Sequence, residues 1–246
     1  MDLLNQHVSV RKFSDRMITP ELLNRLFVAG ARASTTGNMQ LYSVVVTRDQ
    51  AIREQLAPLH FNQPVARTAP VLLTFCADFN RFVKWCEVSG ASPGYDNFHS
   101  FLTAAIDALL MAQNVCIAAE NAGLGICYLG TTTYNAREII ALMKLPQLVV
   151  PITTVAVGWP AEQPEQQDRL PVASVIHNEV YHDYSAEEVL AYYSFKEQLE
   201  SSRKFVAENG KASLAQVFTD VRYKKADNEF FSGKFLEVLK EQGFLK

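Results

Sequence analysis

The sequence predicts an α+β fold in which short, buried strands alternate with helices. Two kinds of segment predict it. The first is a run rich in Ala, Leu and Met at residues 101–119, which has high helix propensity and contains no helix breaker. The second is a set of short apolar and β-branched segments bounded by Gly, Pro or polar residues, which are typical of strands. These segments are residues 42–47, 70–76, 126–129 and 151–157.

The helix predicted at 101–119 is apolar nearly all round, apart from a narrow strip of Thr103, Asp107 and Asn114. Such a helix lies in a protein core or a membrane. Polar residues interrupt it before about 18 consecutive apolar positions, so we predict a core helix that ends near Gly123. One face carries small residues that would let a second helix approach closely. Two alternatives follow: a core helix only, or one that also crosses its copy in a dimer. That face comprises Phe101, Ala104, Ala105, Ala108, Ala112, Val115, Cys116 and Ala119.

Composition excludes several classes of protein. The chain has 246 residues, 48% of them hydrophobic, and a net charge of -3, so we expect no nucleic-acid or membrane partner. The five histidines and four cysteines show no metal-ligand spacing, and we expect free, buried thiols. The first residues lack the basic start and apolar run of a signal peptide. We therefore predict a cytoplasmic protein without a metal site.

The character of the chain changes at Ser185, after which it becomes more charged and more helical. We predict a functional domain at residues 1–184 and a C-terminal helical extension at 185–246 that wraps the core or a partner. Within the first part, Thr19 and Pro20 predict the start of one helix, and Asn135 predicts the N-cap of another at residues 136–143.

Two polar segments are candidates for binding. Residues 7–13 alternate polar and apolar residues, which places His7, Ser9 and Arg11 on one side of an extended segment. An imidazole, a hydroxyl and a guanidinium on one face can bind an anion, and the alternative is a solvated edge strand. Residues 33–40 form a loop dense in hydrogen-bonding groups. Neither a P-loop nor a nucleophile elbow occurs, and the glycines at 123–130 follow a helix and precede a strand, the reverse of the Rossmann order.

Four segments, taken in order, resemble the nitroreductase flavoprotein family, and within it the oxygen-insensitive NADPH nitroreductases and NADPH–flavin oxidoreductases. They are residues 7–13, 31–40, 123–130, and 157–160 with 169–171. The resemblance implies a three-layer α-β-α sandwich with a mixed, mainly antiparallel sheet, and FMN at the interface of an intertwined homodimer. It also implies an NAD(P)H oxidoreductase that reduces small-molecule acceptors such as nitroaromatics, quinones or free flavin by two-electron, ping-pong hydride transfer. NADPH or NADH would be the electron donor.

The resemblance also implies roles for individual residues. His7, Ser9 and Arg169 would hold the FMN phosphate, and Arg11 would lie near the pyrimidine edge. Asn62 or Gln63 would reach the ring edge. The catalytic residues stay unassigned, because protons can come from water and no side-chain acid need be conspicuous. The cofactor would be lined, partly from the partner chain, by Ser34, Thr35, Thr36, Asn38 and Gln40, and the ring would be flanked by Tyr128, Leu129, Gly130 and Thr131, with a backbone N–H near flavin N5.

Two positions depart from the family pattern. Val8 and Gln167 stand where the subgroup usually has basic residues. Charge-assisted contacts are worth roughly 1.5–3 kcal/mol each, so their loss would weaken FMN binding. This departure keeps open a non-catalytic flavin-binding or flavin-delivering protein as an alternative. An α/β interaction module without a cofactor is a third possibility.

Overall fold

The computed structural model describes all residues, 1–246, and divides into two compact units. The first unit comprises residues 1–166 and 233–246, and the second comprises residues 167–232. The strands are β1 (Tyr42–Thr47), β2 (Val71–Asp78), β3 (Gly125–Leu129) and β4 (Val149–Gly158). The helices are α1 (Asp2–Asn5), α2 (Pro20–Gly30), α3 (Gln50–Leu59), α4 (Pro64–Thr68), α5 (Asn80–Val88), α6 (Phe98–Asn121), α7 (Ala136–Met143), α8 (Ala186–Gln198), α9 (Glu200–Glu208), α10 (Leu214–Val217) and α11 (Lys225–Glu241).

The four strands form one sheet in the order β1-β2-β4-β3, with every neighbouring pair antiparallel. The N-terminal segment adds a parallel bridge between Ser9 and Ile126 at the β3 edge. The four segments that the sequence predicted as strands are the four strands of this sheet. The sheet is therefore mixed and mainly antiparallel, as predicted.

Helices cover both faces of the sheet. On β2, alternate residues Val71, Leu73 and Phe75 face a cluster with α2 and α6, whereas Leu72 faces a second cluster with α3, α4 and α7. Strand side chains alternate between the two faces, so each face has its own apolar layer. This arrangement is the predicted α-β-α sandwich, and it explains why β2 is buried along its whole length.

The long helix α6 buries its small-residue face inside its own chain. Ala104, Ala108 and Ala112 are fully buried there, so a second copy cannot pack on this face, and that part of the dimer expectation is wrong. A different apolar set, the α6 outer face, remains exposed and comprises Leu102, Ile106, Leu109 and Leu110. Among the helices, α6 alone has the length and hydropathy to cross a membrane, and part of it is buried against the sheet and α2.

The two compact units differ in their boundaries from the two parts predicted at residue 184. The sequence boundary followed the change in charge, whereas the units follow packing. The end of the chain belongs to the first unit because Leu239 and Phe244 are buried beside Phe101. In the second unit, Asp168 pairs with Lys196 at 2.7 Å, which ties the start of that unit to α8.

Helix ends follow the sequence. Thr19 Oγ1 accepts a hydrogen bond from Leu22 N at 3.2 Å, and Gly123 adopts a positive φ of 80° just after α6, both as predicted. The helix α7 begins at Ala136 with Asn135 at the N-cap position, as predicted, but the Asn135 side chain makes no cap hydrogen bond and its Nδ2 donates instead to Leu59 O at 2.7 Å. A helical turn at residues 132–135 leads directly into α7, so the Asn135 side chain is free to bond elsewhere.

Candidate functional site

The predicted anion-binding segment lies along the edge of β3. Val10 N donates to Ile126 O at 2.9 Å, and the Val10 side chain is buried. A Cβ on Gly125 would lie 2.7 Å from Val10 Cβ, so a glycine is needed for this close approach. Because side chains alternate in an extended segment, Ser9 and Arg11 lie on the side opposite Val10.

His7 is held in place from two directions. Its Nδ1 lies 2.6 Å from Glu120 Oε1, and the Glu120 side chain, at the end of α6, is only 12% exposed. Gln166 Nε2 donates to Asn5 O at 2.6 Å and to His7 O at 3.3 Å, which fixes the backbone. A carboxylate on one ring nitrogen orients the imidazole and leaves the other nitrogen for a ligand. Sequence reasoning missed Glu120.

The end of β3 opens toward solvent at Gly130. Gly130 is exposed, and a Cβ built on it would meet no protein atom within 4 Å. Leu129 is fully buried in the core, so only its backbone is available to a ligand. Tyr128 is half-buried, and burial raises the pKa of its phenol, which donates to Gln113 Oε1 at 3.3 Å. The four predicted ring-flanking residues therefore offer backbone groups, one open glycine and neutral hydroxyls.

A second loop meets the end of β3. Gln63 Nε2 donates to Thr131 Oγ1 at 3.4 Å, so these two candidates are brought together. Fully buried His60 places its Nδ1 2.9 Å from the same oxygen, and its Nε2 has no partner. Burial lowers the pKa of His60 to about 4. Phe61 and Asn62 both have φ of 54°, a conformation that L-residues adopt at a cost and that is frequent at functional sites.

The loop with the remaining candidates is clamped at both ends by one carboxylate. Asp107, buried in α6, accepts hydrogen bonds from Thr36 N at 3.0 Å and from Leu41 N at 3.2 Å. Arg81 donates to Tyr42 O at 3.1 Å and also to Gln40 O. Sequence analysis placed Asp107 only in a polar strip, although a lone carboxylate in an apolar helix was the available signal. The exposed members of this loop are Ser34, Thr36, Asn38 and Gln40, and Thr35 is half-buried.

One chain does not bring all the predicted residues together. The loop at residues 34–40 is fixed at Asp107, and His7 is fixed at Glu120, on the same helix. Thirteen residues separate Asp107 and Glu120, which at the α-helical rise is about 20 Å along the axis. The loop and the N-terminal segment therefore belong to different parts of the surface of one chain.

The last predicted pair lies in the second compact unit. Gln167 and Arg169 are both exposed, and Arg169 Nη1 donates to Asp168 O at 2.9 Å and to Gln167 O at 3.3 Å. Val8, in the first unit, is half-buried. The two positions that depart from the family pattern thus carry no charge at the surface.

The cysteines are free and buried. Burial raises the pKa of Cys76 and of Cys116 to about 12, and it also raises the pKa of Cys127. Thiolates are the nucleophilic form of cysteine, and at neutral pH these groups stay protonated. None of these three thiols is therefore activated as a nucleophile at neutral pH.

Comparisons with known proteins agree with this geometry. The Nitroreductase family matches residues 4–159. The oxygen-insensitive NADPH nitroreductase of Salmonella typhimurium is 35% identical over 193 residues, 78% of each chain. A crystal structure from Bacteroides fragilis, named no further than an oxidoreductase, is 57% identical over the full length of both chains, with a TM-score of 0.99. The NADPH:FMN oxidoreductase of Vibrio harveyi, complexed with NAD⁺, is 26% identical with a TM-score of 0.79, covering 100% of this chain and 98% of the other. The chain belongs to the nitroreductase family.

Proposed function

We propose that this chain is an FMN-dependent NAD(P)H oxidoreductase that passes two electrons, as a hydride, to a small-molecule acceptor. The family supports this, as do the names of two relatives, an NADPH nitroreductase and an NADPH:FMN oxidoreductase. The observation that carries the proposal is the open end of β3. There, exposed Gly130 lies beside Thr131, which the polar loop at residues 60–63 contacts directly.

The residues present fit FMN. Protein packing does not require a glycine at position 130, because a Cβ there would meet nothing. A close ligand would require one, since only glycine lets a backbone approach without a side chain.

Each group of side chains has a task in binding. His7 and Ser9 would hold the phosphate, and Arg11 would supply a cation to the pyrimidine edge. When bound, FMN supplies the group that accepts and delivers the hydride. The chain's own contribution is to orient the ring with backbone groups near Gly130 and to offer one surface that the donor and the acceptor use in turn, in a ping-pong cycle.

Four basic residues in the C-terminal part, Arg203, Lys204, Lys224 and Lys225, are candidates to bind the 2'-phosphate of NADPH, and we propose Arg203 and Lys224 as the better two. Lys204 and Lys225 are each within 4 Å of an acid on their own helix, Glu208 at 3.9 Å and Glu229 at 3.6 Å. Arg203 and Lys224 form no ion pair in the structure. A comparison of KM for NADPH and NADH in Arg203→Ala and Lys224→Ala, with Lys204→Ala as control, tests this preference. Equal effects on both donors would contradict it.

We propose that the functional form is a homodimer whose partner chain completes the site. The α6 outer face supports this proposal because it exposes large apolar side chains, Ile106 at 48% and Leu109 at 46%. The distance along α6 between the loop at residues 34–40 and His7 also supports it. Because one chain does not bring these two groups of candidates together, a second copy would supply the other group. Ile106→Arg should give monomers in light scattering with weaker FMN binding, whereas Val88→Arg, on an exposed apolar residue of α5, should remain dimeric. A monomeric wild type would refute the proposal.

The experiment that tests the function is direct. Purified protein should be yellow or become yellow with added FMN, and NADPH should bleach the flavin absorbance under anaerobic conditions. A nitroaromatic or quinone should then restore the colour. Colourless protein that does not bind added FMN would refute the proposed function.

A second candidate function is flavin binding or delivery without turnover. The observation in its favour is the uncharged pair Val8 and Gln167 at positions where the family carries cations. Bound FMN that NADPH and NADH leave oxidised would favour it. Val8→Lys and Gln167→Lys should each tighten FMN binding in either case.

The composition of the chain supports a proposal about its location and its partners. The net charge of -3 gives no general attraction to nucleic acid or anionic lipid. We propose a cytoplasmic enzyme with small-molecule substrates. Fractionation of cells between membrane and supernatant would test this location.

A further inference from the structure

A buried polar cluster lies behind the open end of β3, and one member has no role in the flavin site described above. The cluster consists of His60, Gln63 and Thr131, joined at the Thr131 hydroxyl. Gln63 and Thr131 are half-buried and can reach a ligand, whereas His60 is 0% exposed and cannot. His60 can therefore act on a ligand only through its neighbours.

The backbone around His60 is fixed tightly. His60 N donates to Leu56 O and Ala57 O, each at 3.1 Å, and Asn62 N donates to Ala57 O at 2.8 Å. From the other side, Asn135 Nδ2 donates to Leu59 O at 2.7 Å. Lys234 Nζ in turn donates to Asn135 Oδ1 at 3.1 Å. The backbone that carries the imidazole is thus fixed by the surrounding turn, and the ring itself is fully buried.

The hydrogen bonds at Thr131 favour one tautomer of His60. If the ring proton were on Nε2, a buried N–H would have no acceptor, which native proteins rarely tolerate. With the proton on Nδ1, His60 donates to Thr131 Oγ1, which also accepts from Gln63. The hydroxyl oxygen then accepts twice, and its own proton remains available to a third group.

We propose that His60 is a positioning residue that fixes the Thr131 hydroxyl as a hydrogen-bond donor toward bound FMN. This inference rests on the proposed function and names a residue and a direction of hydrogen bonding that the function does not require. The low pKa of His60 agrees with it, because burial keeps the ring neutral, with a single ring proton. Removal of His60 should then change the affinity and the midpoint potential of FMN, not only stability.

Three substitutions of His60 distinguish the roles of its two ring nitrogens. His60→Asn places an amide near Nδ1, His60→Gln places one near Nε2, and His60→Leu has neither. We expect FMN affinity, measured by quenching of flavin fluorescence, to weaken about tenfold in His60→Leu and His60→Gln, the scale of one lost hydrogen bond, and to stay near wild type in His60→Asn. The two-electron midpoint potential of bound FMN should shift in the same two variants only. If His60→Leu does not fold, the Asn and Gln variants decide.

A double-mutant cycle tests the route through Thr131. Thr131→Val should weaken FMN binding by a similar factor, and His60→Leu combined with Thr131→Val should be no weaker than Thr131→Val alone. If the losses in FMN affinity of the two single variants multiply in the double variant, the proposal is overturned. Unchanged affinity and potential in His60→Leu would also overturn it. In the wild-type apoprotein, ¹⁵N NMR should show the Nδ1–H tautomer, and an Nε2–H tautomer would also overturn it.

The outcomes distinguish this inference from the proposed function. A wild type that does not bind FMN refutes the proposed function, and this inference with it. A wild type that binds FMN and is reduced by NADPH, while His60→Leu and His60→Gln match it in affinity and potential, refutes this inference alone.

Discussion

Asp107 offers the sharpest test of how the chain builds its site. The carboxylate is 1% exposed, accepts from two backbone N–H groups at opposite ends of the loop at residues 36–41, and forms no ion pair. Hydrogen bonds to a charged group are worth about 1.5–3 kcal/mol each, so Asp107→Ala should lower the free energy of unfolding by about 3–5 kcal/mol. Asp107→Asn keeps one acceptor but turns an NH₂ toward an N–H, and should cost about 2–3 kcal/mol.

The measurement is urea denaturation followed by far-UV circular dichroism, with Thr103→Ala as the matched control. Thr103 lies one turn away on α6, and its hydroxyl bonds only to His99 O, at 2.9 Å in its own helix. The control should cost less than about 0.5 kcal/mol. FMN affinity should fall in Asp107→Asn because residues 34–40, which this carboxylate holds in place, include five cofactor candidates. An Asp107→Asn variant as stable as the control would refute the reasoning.

Three further predictions follow from the same site. Gly125→Ala should destabilise the fold by about 1–3 kcal/mol, because the new Cβ would lie 2.7 Å from Val10 Cβ; wild-type stability in urea would contradict this. Gly130→Ala should leave the unfolding free energy within about 0.5 kcal/mol of wild type yet weaken FMN binding, since its Cβ would meet no protein atom; a loss of stability without a loss of binding would contradict it. The free energy of unfolding should fall as pH drops from about 6.5 to about 4, because in this range the unfolded state binds a proton on His60 that the folded state excludes. Neutral His60 thus contributes about 3 kcal/mol to stability, and this contribution is fully present above pH 6.5. His60→Leu should remove this part of the pH dependence, and an unchanged difference between pH 4 and pH 7 would count against it.

Local patterns predicted the elements well because they depend on residues close in sequence. Short apolar and β-branched runs located all four strands, Thr19 with Pro20 located the start of α2, and Asn135 located the start of α7. The cap rule did not predict that a preceding helical turn leaves the Asn135 side chain without a cap hydrogen bond.

The dimer expectation placed contact on the wrong face of α6. Small residues permit close approach, and in this fold it is α2 and the sheet that pack against the small-residue face of α6. The large apolar residues that remain exposed, such as Ile106 and Leu110, belong to the rest of a helix that the sequence shows only as apolar nearly all round. Which of two apolar faces stays uncovered depends on the packing of distant segments, so periodicity alone could not decide it.

The sequence by itself determined the α+β class and the order of the elements, because these follow from short-range spacing. Its ordered motifs indicated the family, and the resemblance to that family in turn implied most of the candidate residues. Only the tertiary structure assigned Asp107, Glu120 and His60 to the site. Their partners are 71, 113 and 71 residues away, respectively, and such hydrogen bonds leave no periodic trace in a sequence. A buried polar group must find its partner wherever the chain folds to supply one, and that place is set by packing of the whole core.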